Sequence, residues 1–357
     1  MNTEVPMMSE SMKAVVFYET GGLEVLRYED VPKPQPGPGE VLIRVEACSL
    51  NRGPDTMVRG GVFPVAGISF PHVSGADPAG QVTALGEGVN DVAVGSRVAV
   101  HPLLSCETWC TQCPALGENY CGKVRLIGVH RWGGHAEYVS VPARNVVPLP
   151  DEVSYMAAAT LGVSYVTAWH GMVTQARTTA SDTVLVMAAG SAVGAAAIQI
   201  GKLLGARVIA ATSKAGKMSR ARELGADDVV DSSDPEWSAH VKAATNGRGV
   251  TVLFDNIGAE TWTQSLDCLA RGARVFCSGA SGNPEVTINL RTLYRKMVTF
   301  HFHMQGTKAE VGHLADLMAA GQLAPVIDRT YPFAHARDAH ARLAAMDQFG
   351  KIILVPS

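Results

Sequence analysis

Between Val184 and Ala206 the chain reads VLVMAAGSAVGAAAIQIGKLLGA, and no other stretch restricts its fold so tightly. An apolar run suited to a buried strand meets a turn built only of Ala, Gly and Ser. A helical pattern follows: Val193, Ala197, Ile200 and Leu204 fall on one face, and Gly205 stands where a helix stops. Small residues in such a turn let a pyrophosphate approach the backbone amides at the helix N-terminus. The three positions of the G-x-G-x-x-G fingerprint read Ala189, Ser191 and Gly194, with Gly190, Ala192 and Val193 between them. A small-residue turn before a helix is often only a packing device. What gives this one meaning is the strand–helix series it opens.

Further apolar runs begin near Arg207, Asp228, Val250 and Arg274, with helix-like segments between them. The second helix ends in RELGAD, and the third is expected to open at Asp234–Pro235, an N-cap followed by Pro at the first helical position. Alternation at this spacing implies an α/β domain: a doubly wound parallel sheet, covered on both faces, that binds a nucleotide. An NAD site wants a carboxylate about 20 residues past the turn, to accept from the ribose hydroxyls. In ARVIAATSKAGK that position is Thr212, and Ser213, Lys214 and Lys217 follow. Hydroxyl and ammonium groups suit a 2′-phosphate, so NADP(H) is the expected cofactor. The competing reading makes both lysines solvated charges at a helix start.

Up to about Pro150 the texture differs. Short Val-rich runs (EVLIRVEAC, AGQVTAL, GSRVAVHP, GGHAEYVSVP) are broken by Gly and Pro, as in a β-rich, barrel-like domain. The last residues, FGKIILVPS, read as a strand that returns to this first domain and makes it discontinuous. The net charge of -3 gives no basic excess for phosphate-backbone contacts, so nucleic acid is not an expected partner. The N-terminus lacks a basic segment followed by an apolar one, and the longest weakly polar run is interrupted by Gly and Ser. A soluble, cytoplasmic protein without membrane contact is expected. There, cysteines clustered as in SCETWCTQCPALGENYC point to a metal more than to disulfides.

Together these segments resemble the medium-chain dehydrogenase/reductase superfamily, in particular its quinone oxidoreductase-like branch with a retained structural-zinc loop. The resemblance rests on SLNRGPD, FPHVSGADPAGQV, LIGVHRWGGHAEYVSVP, TAWHGM, AAGSAVGAAAIQIGKLLGARVIA, RELGAD and FGKIIL. It implies a GroES-like β-barrel catalytic domain over residues 1–156, a Rossmann NADP(H)-binding domain over 157–303, and a return to the catalytic domain over 304–357. It also implies hydride transfer with a nicotinamide cofactor. Cys106, Cys110, Cys113 and Cys121 stand at the family's structural-zinc positions, the first spacing one residue longer than usual. Four thiolates close a tetrahedral site, so one Zn²⁺ per subunit would brace the loop.

A catalytic zinc would need other ligands. At the family's positions for them the chain carries Asn51 in place of Cys, and Ala76 and Asp77 in place of His and Glu. The resemblance therefore implies a metal-free active site, and Cys48 is expected in the core. Without a Lewis acid, a conjugated acceptor is favoured: hydride goes to the β-carbon and charge moves to an enolate oxygen that hydrogen-bond donors can stabilise. Asn51 is the candidate donor, Asp55 would orient its loop, and Tyr165 would supply a proton if its helix end faces the nicotinamide. Phe63 stands where related enoyl reductases carry a proton-donating Tyr. The histidines at 72, 130, 301 and 303 are read as structural or solvated. Carry-over places Thr167, Ser278 and Gly279 around the nicotinamide end, with the substrate pocket shaped by loops 60–67 and 282–290. VTFHFH would be the last sheet strand, which in this family pairs with its twin in a homodimer. Two other functions remain open: an alcohol dehydrogenase or carbonyl reductase, and a protein that holds NADPH without turnover.

Overall fold

The computed structural model describes residues 10–62, 68–105, 113 and 117–357. Its centre is a six-stranded sheet in the order Asp228–Asp231, Arg207–Thr212, Thr183–Val186, Val250–Phe254, Leu269–Cys277, Thr299–Phe302. Every neighbouring pair in it is parallel. The order reverses direction between Thr183–Val186 and Val250–Phe254, which is where a doubly wound sheet opens a crevice at the carboxyl ends of its strands. Burial on both faces explains the near-continuous apolar runs: Val184, Leu185, Val186, Val208, Ile209, Val252 and Leu253 are fully buried. The fifth strand begins at Leu269, earlier than its apolar run suggests, with a register shift against Val250–Phe254. The third helix spans Trp237–Ala244, so the expected start at Asp234–Pro235 is corrected. The Asp234 carboxylate instead accepts from the Glu236 amide in a tight turn before it.

The second large sheet has seven strands. Val146–Pro148, Arg97–Val100, Asp77–Leu85, Glu40–Leu50, Lys351–Val355 and Ile327–Pro332 lie in that order, and Tyr138–Pro142 also pairs with Glu40–Leu50. The C-terminal strand thus returns to the first domain: Leu354 stands opposite Cys48 and Ile353 opposite Ser49. This antiparallel pairing brings Lys351, near the chain end, beside Asn51. A core of Val41, Ile43, Val45, Val98, Val141, Ile352 and Leu354 fills the barrel. Between the two sheets runs a helical segment from Leu161 to Gln175, wide-turned at Leu161–Tyr165 and again at His170–Gln175.

Candidate active site

One cleft lies between the two sheets, and its two walls are built differently. The first wall is the turn at Ala188–Ser191 and the helix Ala192–Leu203. Ser191 caps that helix, its hydroxyl accepting from the Gly194 amide at 3.0 Å. Gly194 is required: a Cβ there would lie 2.4 Å from the Ala188 carbonyl oxygen. Ala189 is fully buried beneath the turn. Gly190, Ser191, Ala192 and Val193 face the cleft, where the first amides of the helix have no intrahelical acceptor. Small side chains and open amides together fit a pyrophosphate. Thr212, Ser213, Lys214 and Lys217 continue this wall. Burial, followed by the charge of Lys214, pushes the Lys217 ammonium below its ordinary pKa.

Both lysines reach across the cleft mouth. The Lys217 ammonium donates to the Met346 carbonyl at 2.7 Å. Lys214 pairs with Asp347 and donates to the Ala345 carbonyl. The Gly350 amide donates to the Gly190 carbonyl at 3.0 Å, so the segment 345–350 straps the two domains together over the nucleotide turn. This strap, with Leu343, Met346 and Gln348 in the lining, was not legible in the sequence.

The second wall holds Leu50, Asn51, Arg52, Ser164, Lys351 and Ile352. Asn51 is almost buried at 7 % exposure, and its backbone amide donates to the Asp55 carboxylate at 2.6 Å. The other Asp55 oxygen accepts from the Gly75 amide at 2.9 Å, so Asp55 ties the loop of Asn51 to that of Ala76 and Asp77. Burial pushes the Asp55 carboxyl pKa up, opposed by the neighbouring His135 and by the two amides. The Asn51 side-chain nitrogen donates to the Asp77 carboxylate at 3.2 Å, which also accepts from the Ser49 hydroxyl at 2.5 Å. Lys351 donates to the Asn51 amide oxygen and lies 3.2 Å from Asp77. Sequence reasoning missed Lys351; the signal was a single ammonium inside the apolar strand FGKIILV.

Tyr165 is not at the cleft, and its expected role as proton donor is corrected. Its ring is 2 % exposed, and its hydroxyl donates to the Ala324 carbonyl at 2.6 Å and accepts from Gln199. Burial raises its pKa far above the usual phenol range. Ser164, one residue earlier, faces the cleft instead. Thr167 is buried, and its carbonyl faces the His303 ring at 3.1 Å. Ser278 and Gly279 directly follow the strand Leu269–Cys277; the cleft lining near them comes from Asn256, Ile257 and Ser281. Cys48 is fully buried, its thiol pKa pushed well up by that burial. His303 is pushed down to about 4 by burial, which favours its neutral form.

Of the cysteine loop, Cys106 and Cys110 lie outside the described residues, as does Phe63. Cys121 is buried and Cys113 partly so, and the Gly117 amide donates to the Cys113 carbonyl at 3.0 Å. As a donor set the four thiols of this loop suit a soft, tetrahedral ion. Among the described residues no group of three or more His, Cys, Asp or Glu side chains is placed to hold a metal, and no helix is long and apolar enough to cross a membrane.

Comparison with known proteins agrees with this architecture. Residues 37–151 match the alcohol dehydrogenase GroES-like domain family and residues 192–320 the zinc-binding dehydrogenase family. The chain is 30 % identical to a quinone oxidoreductase of Pseudomonas aeruginosa, over 96 % of this chain and 99 % of that one. It is 28 % identical to a zinc-type alcohol dehydrogenase-like protein of Schizosaccharomyces pombe, again over 96 % of this chain and 99 % of the other. A solved structure described as an NAD-dependent alcohol dehydrogenase superposes with a TM-score of 0.92 at 38 % identity, covering 97 % of this chain and all of that one. A parallel doubly wound sheet, a GroES-like barrel rejoined by the C-terminus and a dinucleotide turn at their junction thus coincide with full-length sequence likeness: the chain belongs to the medium-chain dehydrogenase/reductase superfamily, as a quinone oxidoreductase-like member and an NAD(P)-binding oxidoreductase.

Proposed function

We propose that this protein is an NADPH-dependent reductase of activated alkenes or quinones and that it works without a catalytic metal. One observation carries the reading. The positions where metal-bearing relatives have ligands hold Asn51, Ala76 and Asp77; Ala76 brings no donor atom, and Asn51 and Asp77 are bound to each other and to the ammonium of Lys351. That set offers hydrogen-bond donors and a fixed positive charge where a metal would offer coordination. The cofactor, when bound, supplies the hydride. The chain's own part is to hold the acceptor against it and to stabilise the oxygen on which negative charge develops. Asn51 does the latter from the cleft floor, held by Asp55 and Asp77. Conjugated acceptors suit such a site because delocalisation already lowers the charge each donor must offset. The proton is drawn from water, since the cleft is open to solvent and Tyr165 is committed elsewhere.

Thr212, Ser213, Lys214 and Lys217 would hold the 2′-phosphate of NADPH. Pyrophosphate would lie on the amides of Ala192 and Val193, and Thr167, Ser278 and Gly279 would border the nicotinamide end. The second reading, an alcohol dehydrogenase or carbonyl reductase, is favoured by the solved NAD-dependent alcohol dehydrogenase that resembles this chain. Steady-state turnover of purified protein separates the two. Enones and quinones should be reduced with NADPH, while simple ketones and primary alcohols should react poorly. Rapid alcohol oxidation with NAD, with every enone and quinone ignored, would promote the second reading. Failure to turn over any substrate while NADPH binds tightly would leave a cofactor-holding protein.

One Zn²⁺ on Cys106, Cys110, Cys113 and Cys121 would brace the loop and take no part in the chemistry. Metal analysis should return one zinc per chain. Chelation, like Cys113→Ser, should lower the melting temperature and leave the folded fraction active. We place the protein in the cytoplasm and as a homodimer. The edge strand Thr299–Phe302 leaves Phe302 67 % exposed, and Tyr294 and Met297 in the segment before it are exposed too, an apolar edge that a second subunit would cover.

A further inference from the structure

We infer that Lys351 is the active site's fixed positive charge, acting through Asn51 to strengthen that amide's donation to the developing enolate. The inference rests on the reading above. The Lys351 side chain is 4 % exposed and lines the cleft, and its ammonium meets the Asn51 amide oxygen and the Asp77 carboxylate. A buried ammonium seldom occurs unless it is paired, and here the pairing is built from three strands or their ends: 40–50, 77–85 and 351–355.

The arrangement fixes which way the Asn51 amide points. Its oxygen meets the ammonium and its nitrogen meets the carboxylate, so the reverse orientation would set like partners against each other. A primary amide nitrogen carries two hydrogens. Asp77 takes one, and the other is left for a ligand in the cleft. A cation on the amide oxygen draws electron density away from that remaining N–H and makes it a stronger donor, as in any hydrogen-bond chain that ends on a charge. Lys351 gives up no proton in this scheme. It is a positioning residue whose charge is felt through Asn51 most when the acceptor oxygen turns negative, so its effect belongs to the transition state and not to the ground state.

The test compares wild type with Lys351→Met, Lys351→Arg, Asp77→Asn and the double variant Lys351→Met/Asp77→Asn, which leaves no unpaired buried charge. NADPH affinity is measured by titration, and turnover on a series of enones graded by electron-withdrawing substituents. The double variant should fold, bind NADPH as wild type does, and fall about tenfold to a hundredfold in kcat below Asp77→Asn alone, less than or up to the loss of a whole oxyanion donor. The dependence of log kcat on substituent should steepen, because the acceptor must then carry charge the site no longer offsets. A merely structural lysine would not move that slope. Turnover in the double variant equal to that of Asp77→Asn alone overturns the inference. So does a loss confined to NADPH affinity, which would make Lys351 a phosphate ligand. Should a neutral residue at 351 unfold the chain, Lys351→Arg decides: it keeps the positive charge, so slope and NADPH affinity should stay at their wild-type values, and a steepened slope with the charge still in place refutes the role. If wild type itself reduces no conjugated acceptor, the reading of the preceding section fails instead.

Discussion

The two walls of the cleft are assembled on opposite principles. The nucleotide wall comes from one run of chain, Ala188–Val193 followed by Thr212–Lys217, joined by a helix and a strand. The opposite wall, where we propose the chemistry, joins Asn51 to Asp77, 26 positions on, and to Lys351, 300 positions on. The first is constrained by local geometry, its turn closed to all but small side chains. The second is a charge constellation in which each member is defined by the others. A nucleotide site of this kind should therefore break by steric insult, and a catalytic site by the loss of one charge or one donor.

The largest expected effect follows on the steric side. Gly194→Val would drive side-chain carbons into the Ala188 carbonyl, where even a Cβ lies at 2.4 Å. Overpacking of this kind costs about 1–3 kcal/mol where the structure can give, and here the turn that must give is the binding site. Binding of NADPH and NADH should both vanish from a titration, and retention of either would show the turn to be only a packing device. On the catalytic side, Asn51→Ala should lower kcat about tenfold to a hundredfold, short of the largest oxyanion-donor effects because water can enter the cleft. NADPH affinity should hold, and a loss confined to affinity would place Asn51 on the cofactor instead.

Lys217→Ala sharpens the contrast within the nucleotide wall. Removing a charge-assisted phosphate contact costs about 1.5–3 kcal/mol, and the lower end is expected because Lys217 also gives up its bond to the Met346 carbonyl. NADPH binding should weaken by roughly tenfold and NADH binding stay unchanged; equal losses would remove the basis for NADP(H). The smallest effect concerns the strap that joins the walls. Burial disfavours the Asp328 carboxylate, yet hydrogen bonds from Arg342 and the Phe349 amide hold its pKa below the ordinary 3.8. The sign is that of a depressed acid: the stabilisation is present above the unfolded-state pKa and is lost as pH falls through the folded one. Asp328→Asn, which keeps an acceptor oxygen and loses only the charge, should cost about 1 kcal/mol of unfolding free energy near neutral pH. The gap should close on acidification below the ordinary aspartate range. A gap independent of pH would mean that the carboxylate charge does not hold the strap.

Legibility in the sequence divides along the same line. The alternation of strands and helices, the small-residue turn and the strand character of the C-terminal run follow from patterns that neighbouring residues impose on one another. Asp234–Pro235 has the composition of a helix start, but the turn closed by Asp234 precedes the helix by two residues. Tyr165 failed for a different reason. Adjacent residues of the turn Leu161–Tyr165 point to different sides, so Ser164 takes the cleft-facing place and Tyr165 the core, where the Ala324 carbonyl and Gln199 engage its hydroxyl. Asn51 and Asp55 could be named only by likeness to relatives, and nothing in their spacing foretold that one carboxylate would pin two loops. Lys351 stood in plain view within an apolar strand, but its meaning depends on which strand it pairs with, and that is a property of the topology.

Under the proposed function, hydride goes to a conjugated carbon and not to a carbonyl carbon. NADPH bearing deuterium at the transferred position, offered with an enone, answers this directly when the product is analysed by NMR. A saturated ketone with deuterium on the β-carbon is expected. An allylic alcohol with deuterium on the carbinol carbon would contradict it, and would assign the protein to carbonyl reduction.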